Sequence, residues 1–232
     1  MKRKLSAESF VRAVFVRRPS LHNKSPYVGD IRLFDGSMKI AHMPAMDMGG
    51  KCYEGVECIV SPMIDRKGCQ VKDGAVGGKY NKPKCQYKMQ MIKCIEPENV
   101  HMNGTWILSN PSLSETIFGD IIDHNLSEFF EGYRVKKKQF SVPETSMRTD
   151  FLLEKTNCDR EHLVEIKIVV DSDYDIACTH SDSIQSLYYS SSTVYERSAL
   201  FPWGRSTQRD EDGNKVVSSR ACKHSKELTK LV

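Results

Sequence analysis

The sequence predicts an α+β protein: a small β-barrel over residues 1–97, followed by a mixed α/β domain over residues 98–232. Three patterns lead there. Residues 10–97 consist of short segments in which apolar and polar residues alternate, the period-two signature of half-buried strands. Residues 111–133 instead repeat apolar side chains at helical spacing. Between residues 148 and 170 the chain reads as two strands, the second apolar on both faces, as in a sheet covered on both sides.

The elements follow in order. The start, "MKRKLSAESFVRAVFVRR", is basic and lacks the apolar core of a secretory leader. It is read as a ragged basic terminus running into a first strand, "RAVFV", in preference to an amphipathic import signal. Further strands are expected at "YVGDIRLF", "MKIAHM", "GVECIVSP" and "CQYKMQMIKCI". Turn-forming residues separate them: "DG" at 35–36, "KDGAVGG" at 72–78 and "NKP" at 81–83. About five short strands are better closed into a barrel than left as an open sheet with bare edges. Within this domain Lys79, Lys82, Lys84, Lys88 and Lys93 interleave with Tyr80 and Tyr87. Two readings stand: lysines neutralising phosphates while tyrosines stack on bases, or a solvated hairpin with snorkelling lysines.

"EPEN" at 96–99 reads as the linker and "TWILSN" as the first strand of the second domain. "PSLSETIFGDIIDHNLSEFFEGY" then reads as one helix, with Pro111 in its first turn and a capping box between Ser112 and Glu115. Leu113, Ile117, Phe118, Ile121, Ile122, Leu126 and Phe129 form its apolar stripe, Asp120 borders that stripe, and Gly132 is the expected stop. A basic strand, "RVKKKQFSV", precedes two more: one at "RTDFLLE" and, after a polar loop, one at Leu163–Val170. Residues 171–197 read as a surface insertion, "TQRDEDGNK" as an exposed loop, and "VVSSRACKHSKELTKLV" as a closing helix with apolar spacing at Val217, Ala221, Leu228 and Leu231.

Bulk properties narrow the class. The chain has 232 residues, 39% hydrophobic and 28% charged, with net charge +4. Its isoelectric point near 8.5 permits nucleic acid without requiring it. No apolar run approaches the ~20 residues of a membrane span. Eight cysteines form no CxxC and no paired zinc spacing, and a chain of this length folds without disulfides. The expectation is therefore a soluble intracellular protein with free thiols.

The chemistry concentrates in the last two strands. Leu163, Glu165, Lys167 and Val169 share one strand face, so an acid and a base lie two residues apart in an apolar segment. Unpaired buried charges are costly. Either the two neutralise each other, or they face something charged, such as a metal ion and a phosphate. Asp150 on one strand and Glu165 on the next are oxygen donors suited to Mg²⁺ or Mn²⁺. Lys167 then points into the same cleft instead of pairing fully with Glu165, to orient water or stabilise a pentacovalent phosphate.

Taken together the segments resemble the sugar fermentation stimulation protein A (SfsA) family. "DGSMKIAHMPAMDMGG" is similar to its strand and H-x-P-N-T-G loop, and "WILSNPSLSETIFGDII" to its V-N-T and N-R-L…E-A-I segments. "RTDFLLE", "LVEIKIV", "ALFP" and "VVSSRACKHSKELTKL" are similar to R-x-D-F-L-L, E-V-K-S, A-L-F-P and R-G-x-K-H-x-x-E-L. The segments run in order over residues 12–232. The resemblance implies an OB-like β-barrel, then a PD-(D/E)XK nuclease-like domain, with DNA as substrate or ligand. It implies a catalytic set of Asp150, Glu165, Lys167 and Asp120. Of these Asp150, Glu165 and Asp120 would hold Mg²⁺ or Mn²⁺. For DNA contact the reading assigns Lys79, Tyr80, Lys82, Lys84, Tyr87, Lys88, Arg220, Lys223 and His224. Asn110 falls on the family's V-N motif.

The sequence departs from the family pattern at Ala45, Glu115, Thr116, Ile168 and Ser219. It also stops at the helix carrying His224, where the family continues into further strands, so the second domain is expected to lack its closing strands. The expectation is a DNA-binding, Mg²⁺-dependent endodeoxyribonuclease. The alternative is an inactive DNA-binding or regulatory protein that kept the fold.

Overall fold

The computed structural model describes residues 10–45, 51–95, 103–168, 208–216 and 218–231. The expected insertion at 171–197, the "ALFP" segment and the end of the "HMPAMDMGG" loop lie outside them. The chain divides into two compact units, Met1–Leu113 and Ser114–Val232. No helix among the described residues is long and apolar enough to cross a membrane.

The first unit contains β1 (Val11–Arg17), β2 (Val28–Leu33), β3 (Met38–His42), β4 (Glu57–Pro62), the short pair β5 (Val76–Gly77) and β6 (Lys82–Pro83), β7 (Tyr87–Cys94) and β8 (Thr105–Leu108). The main strands pair in the order β3-β2-β1-β4-β7, and a parallel pairing of β3 with β7 closes them into a five-stranded barrel. This is the connectivity of an OB-fold barrel, with β2 and β3 adjacent and the fifth strand returning parallel to the third. Alternating side chains fill the interior, among them Ala13, Phe15, Ile31, Val60, Met89 and Ile92. Gly29 is required by close approach: a Cβ there would lie 2.4 Å from Met43 Sδ and 2.8 Å from the Arg17 carbonyl oxygen.

The "TWIL" strand, read from sequence as the start of the second domain, instead adds to the barrel. β8 runs antiparallel to β7 from Met91↔Leu108 to Cys94↔Thr105. Left-handed φ angles at Asn103 and Gly104 lead the chain into it.

The second unit has a three-stranded antiparallel sheet in the order β11-β10-β9, formed by β9 (Tyr133–Ser141), β10 (Arg148–Lys155) and β11 (Cys158–Val164). Helix α1 (Pro111–Asp123) leads into the unit and α2 (Ser219–Thr229) ends the described chain. Ile122 of α1 packs with Phe151 and Leu153 of β10, and Phe118, Phe130, Tyr133 and Val164 surround them. Phe118 meets Phe130 edge-on at 5.2 Å and Phe151 at 5.0 Å.

Three boundaries differ from the sequence reading. Helix α1 stops at Asp123, well before Gly132. Asn125 takes φ +51°, its N–H donates to the Ile122 carbonyl and that of Leu126 to Ile121, which is a Schellman stop. A 3₁₀ turn, Glu128–Phe130, follows, and Leu126 and Phe129 of the expected stripe are exposed. At the other end Asn110 serves as the cap: its Oδ1 accepts from the Ser112 N–H at 3.2 Å. Finally, the expected polar loop before Leu163 shrinks to Thr156–Asn157, because Asn157 accepts φ +61° and makes a two-residue turn. Asp159–His162 are strand, while the expected strand from Leu163 ends at Val164.

Candidate active site

The hairpin register brings the acids together. Phe151 pairs with Val164 and Leu152 with Leu163, so the next step of the ladder sets Asp150 against Glu165. The ladder stops there for a specific reason. The Ile166 N–H donates to Asp150 Oδ2 at 2.7 Å, so a side-chain carboxylate replaces the carbonyl that a continuing strand would use. Residues 165–168 are consequently irregular.

On the other side of β10, Gln139 of β9 stands opposite Asp150 and has φ +52°, a left-handed backbone that is unusual for a residue with a side chain. From that position its Nε2 donates to Asp150 Oδ1 at 3.2 Å and to Glu115 Oε2 at 2.9 Å. Glu115, one turn into α1, therefore faces the acids instead of closing a capping box. Burial pushes its carboxyl above the ordinary value, and the charges of Asp150 and Glu165 push it further, partly offset by Gln139 and Lys167.

Glu165 is well enclosed, with a side chain only 10% exposed. Its Oε1 accepts from the Lys167 ammonium and lies 2.7 Å from His224 Nδ1. Arg220 Nε donates to His224 Nε2 at 3.5 Å, which leaves the ring proton on Nδ1 to donate to Glu165. Burial alone would raise the Glu165 carboxyl, but Lys167 and His224 outweigh it and hold the group below its ordinary value. Its Oε2 is buried with no hydrogen-bond partner among the described residues.

The expected separation of Lys167 from Glu165 is not found: the ammonium pairs with Oε1 and also reaches the Ile166 carbonyl oxygen at 3.4 Å. The physical reason is the buried carboxylate two residues away, which offers a half-exposed ammonium its nearest counter-charge. Asp120 does not join the group. It is exposed, five residues and about 140° around α1 from Glu115. Among the described residues no three His, Cys, Asp or Glu side chains form a ready metal cage. The donors nevertheless fit a hard divalent cation. Asp150, Glu165 and Glu115 carry carboxylate oxygens, Mg²⁺ needs only one or two carboxylates alongside water, and Glu165 Oε2 is a buried acceptor without a donor among the described residues.

The residues read as DNA contacts separate into two groups. In the second unit Arg220 and Lys223 are exposed on α2, beside a cavity of about 300 Å³ of mixed charge, lined also by Arg209, Lys226, Asp210 and Glu211, while His224 is committed to Glu165. In the barrel Lys79, Tyr80, Lys82 and Lys84 are exposed along the β5–β6 hairpin and its exit, with the Lys79 ammonium 5.9 Å above the Tyr80 ring. Tyr87 is buried in the barrel wall, where β7 pairs with both β3 and β4, and offers no ring face to a base. Lys88 is half-buried, and burial pushes its ammonium below the ordinary value. As members of the site, Glu115 and Gln139 escape the sequence reading, which places Glu115 in a capping box. An acid in a first helical turn is normally read as a cap, and nothing in the sequence marks a left-handed glutamine.

No family model matches the chain, and no curated protein matches it. Among solved structures the chain is similar to Pyrococcus furiosus SfsA in complex with Ca²⁺, at 20% identity and a TM-score of 0.48. The match covers 70% of this chain and 56% of that one, so the chain spans a little over half of that protein's length.

Proposed function

We propose that the protein is a DNA-binding phosphodiesterase of the metal-dependent nuclease type, with its reaction centre at Asp150, Glu165 and Lys167. The observation that carries this reading is the buried, unpartnered Oε2 of Glu165, set in a neighbourhood shared with Asp150, Glu115 and an ammonium. A nine-tenths-buried carboxylate oxygen left without a donor is costly unless a ligand completes it. Asp150 and Glu165 would hold Mg²⁺ or Mn²⁺, with Glu115 contributing charge or a water-mediated contact. The cation supplies polarisation of the phosphate and a more acidic bound water. Gln139 holds two mutually repelling carboxylates side by side, and the Arg220–His224 pair orients Glu165. Lys167, half-exposed at the edge of the group, would stabilise the developing charge on the phosphate.

The test is cleavage of plasmid and linear DNA with and without Mg²⁺ or Mn²⁺, beside calorimetric titration of the metal. Asp150→Asn should abolish metal binding while the circular dichroism spectrum persists. Lys167→Ala should leave metal affinity within about threefold, since its pair is half-exposed, yet remove most cleavage. Absence of metal binding in the wild type would overturn the proposal. Metal binding without turnover would favour a second reading, a DNA-binding protein that kept the fold. The Lys167–Glu165 pair favours that reading, because it occupies the reactive acid with a structural counter-ion.

A further inference from the structure

A cavity of about 480 Å³ lies against the barrel, within the size range of small-ligand sites. Its walls come from three places: His22 in the β1–β2 loop, Asp30 and Lys39 on the adjacent strands β2 and β3, and Asp73, Pro83 and Gln86 from the long β4–β7 connection. Asn23 Nδ2 donates to the Pro83 carbonyl oxygen at 3.3 Å and ties the first and third walls together. In a barrel of this connectivity, these two strands and these two loops form the face that takes oligomeric ligands.

The cavity contains a buried acid that the described residues do not pair with a cation. Asp30 is 6% exposed, its Oδ2 accepts the Leu21 N–H at 2.9 Å, and it has no ion-pair partner among the described residues. The nearby cation is already committed, because the Lys39 ammonium pairs with Asp73. Gln86 is committed as well, its Oε1 accepting the Ile40 N–H at 2.8 Å. A buried carboxylate without a cation is an acceptor waiting for donors. Beside it the β5–β6 hairpin presents Lys79, Lys82 and Tyr80, the last 75% exposed, which supply phosphate neutralisation and a stacking ring.

We infer that this cavity receives one unpaired guanine of single-stranded DNA, with Asp30 accepting from the guanine N1–H and amino group. The inference rests on the DNA-binding reading above. Guanine is the base whose pairing edge offers two adjacent donors to a carboxylate. Thymine is the opposite case, because its single N–H lies between two carbonyl oxygens that repel an acid. Adenine and cytosine fall between, each with one amino group beside a ring acceptor.

The test is fluorescence anisotropy of the full chain, without divalent metal, on a short labelled oligo(dT) carrying one central dG and on the all-dT control. The dG oligonucleotide should bind about tenfold more tightly, the scale of one bidentate base contact. Replacing dG by deoxyinosine, which lacks only the amino group, should lose about half of that preference on a logarithmic scale. Asp30→Asn should erase the preference of dG over dT. The inosine comparison uses the wild-type protein and stands even where the variant fails to fold. Equal binding of dG and dT oligonucleotides overturns the guanine site and leaves the DNA-binding reading intact. Failure of both to bind overturns both.

Discussion

Replacing Glu115 by Gln should make the metal-free protein more stable and the metal-bound protein weaker. In the native fold Gln139 Nε2 lies 2.9 Å from Glu115 Oε2 and 3.2 Å from Asp150 Oδ1, so the two oxygens are no more than 6.1 Å apart. Two unit charges at this range repel by about 3 kcal/mol at an effective dielectric of ~20. Glu115 is only half-buried, and solvent screening reduces the recoverable part to about 1 kcal/mol. A glutamine keeps an acceptor for Gln139 and removes the charge. At pH 7 without metal, Glu115→Gln should therefore raise the melting temperature by about 2–4 °C. The sign has a pH signature. The wild-type Glu115 carboxyl sits above its ordinary value of 4.5, so the folded protein binds this proton more tightly than the unfolded chain does. Its destabilisation is full at neutral pH and disappears as pH falls through the raised value, where the variant's advantage should vanish. With saturating Mg²⁺ the order should reverse, because one of three attracting charges is gone, and affinity should fall by about tenfold or more. Differential scanning fluorimetry across pH, with and without Mg²⁺, measures all of this. An unchanged or lower melting temperature for the variant at pH 7 without metal would refute the reasoning that the three carboxylates form one repelling group.

Other expectations follow from the same geometry. The triple variant Lys79→Ala, Lys82→Ala, Lys84→Ala should weaken binding to all DNA sequences alike, and the slope of log affinity against log salt should fall by about one unit per lost phosphate contact, measured by anisotropy. Phe151→Ala, in a position 2% exposed between Phe118 and Leu153, should cost about 3–5 kcal/mol in urea denaturation. Glu165, held below its ordinary value of 4.5, contributes stability that is present above that pH and lost as pH falls through its folded value. In metal-free protein Lys167→Ala should flatten that acid limb, and an unchanged limb would argue against the pair.

Much of this architecture was legible because it is written in local patterns. Alternation over β1 to β4 and β7, separated by Gly, Asn and Asp, predicted a barrel, and about the right number of strands. The hairpin carrying Asp150 was legible for the same reason, as were the existence of α1 and α2. The ends of elements were not. Asn125 and Asn157 adopt left-handed backbones that end a helix and tighten a turn, and asparagine in a polar stretch does not announce which it will do. The site was half legible. Spacing placed Asp150 near Glu165, but membership of Glu115 depends on the backbone of Gln139, a residue whose φ no propensity forecasts. From sequence Asp120 reads as a member of the site because it falls where the resembled family has its helix acid. Helical phase turns it to solvent instead. Tyr87 looked like a stacking platform for want of any signal that β7 is bounded by strands on both sides.

The turn at Thr156–Asn157 makes the span from Asp150 to Glu165 behave as a ruler. Between Asp150 and Glu165 every residue lies in a strand or in the turn itself, and the pairing runs in register except at Asp159 and Arg160, which the shift between Glu154 and Lys155 leaves unpaired. Because strand side chains alternate, lengthening either arm by one residue would carry an acid to the opposite face and set Asp150 against a different neighbour. Substitution along the outer face should therefore be far easier to accommodate than any change of length. The distance between the two acids is stored as a number of residues, and over most of the hairpin the identity of those residues matters much less.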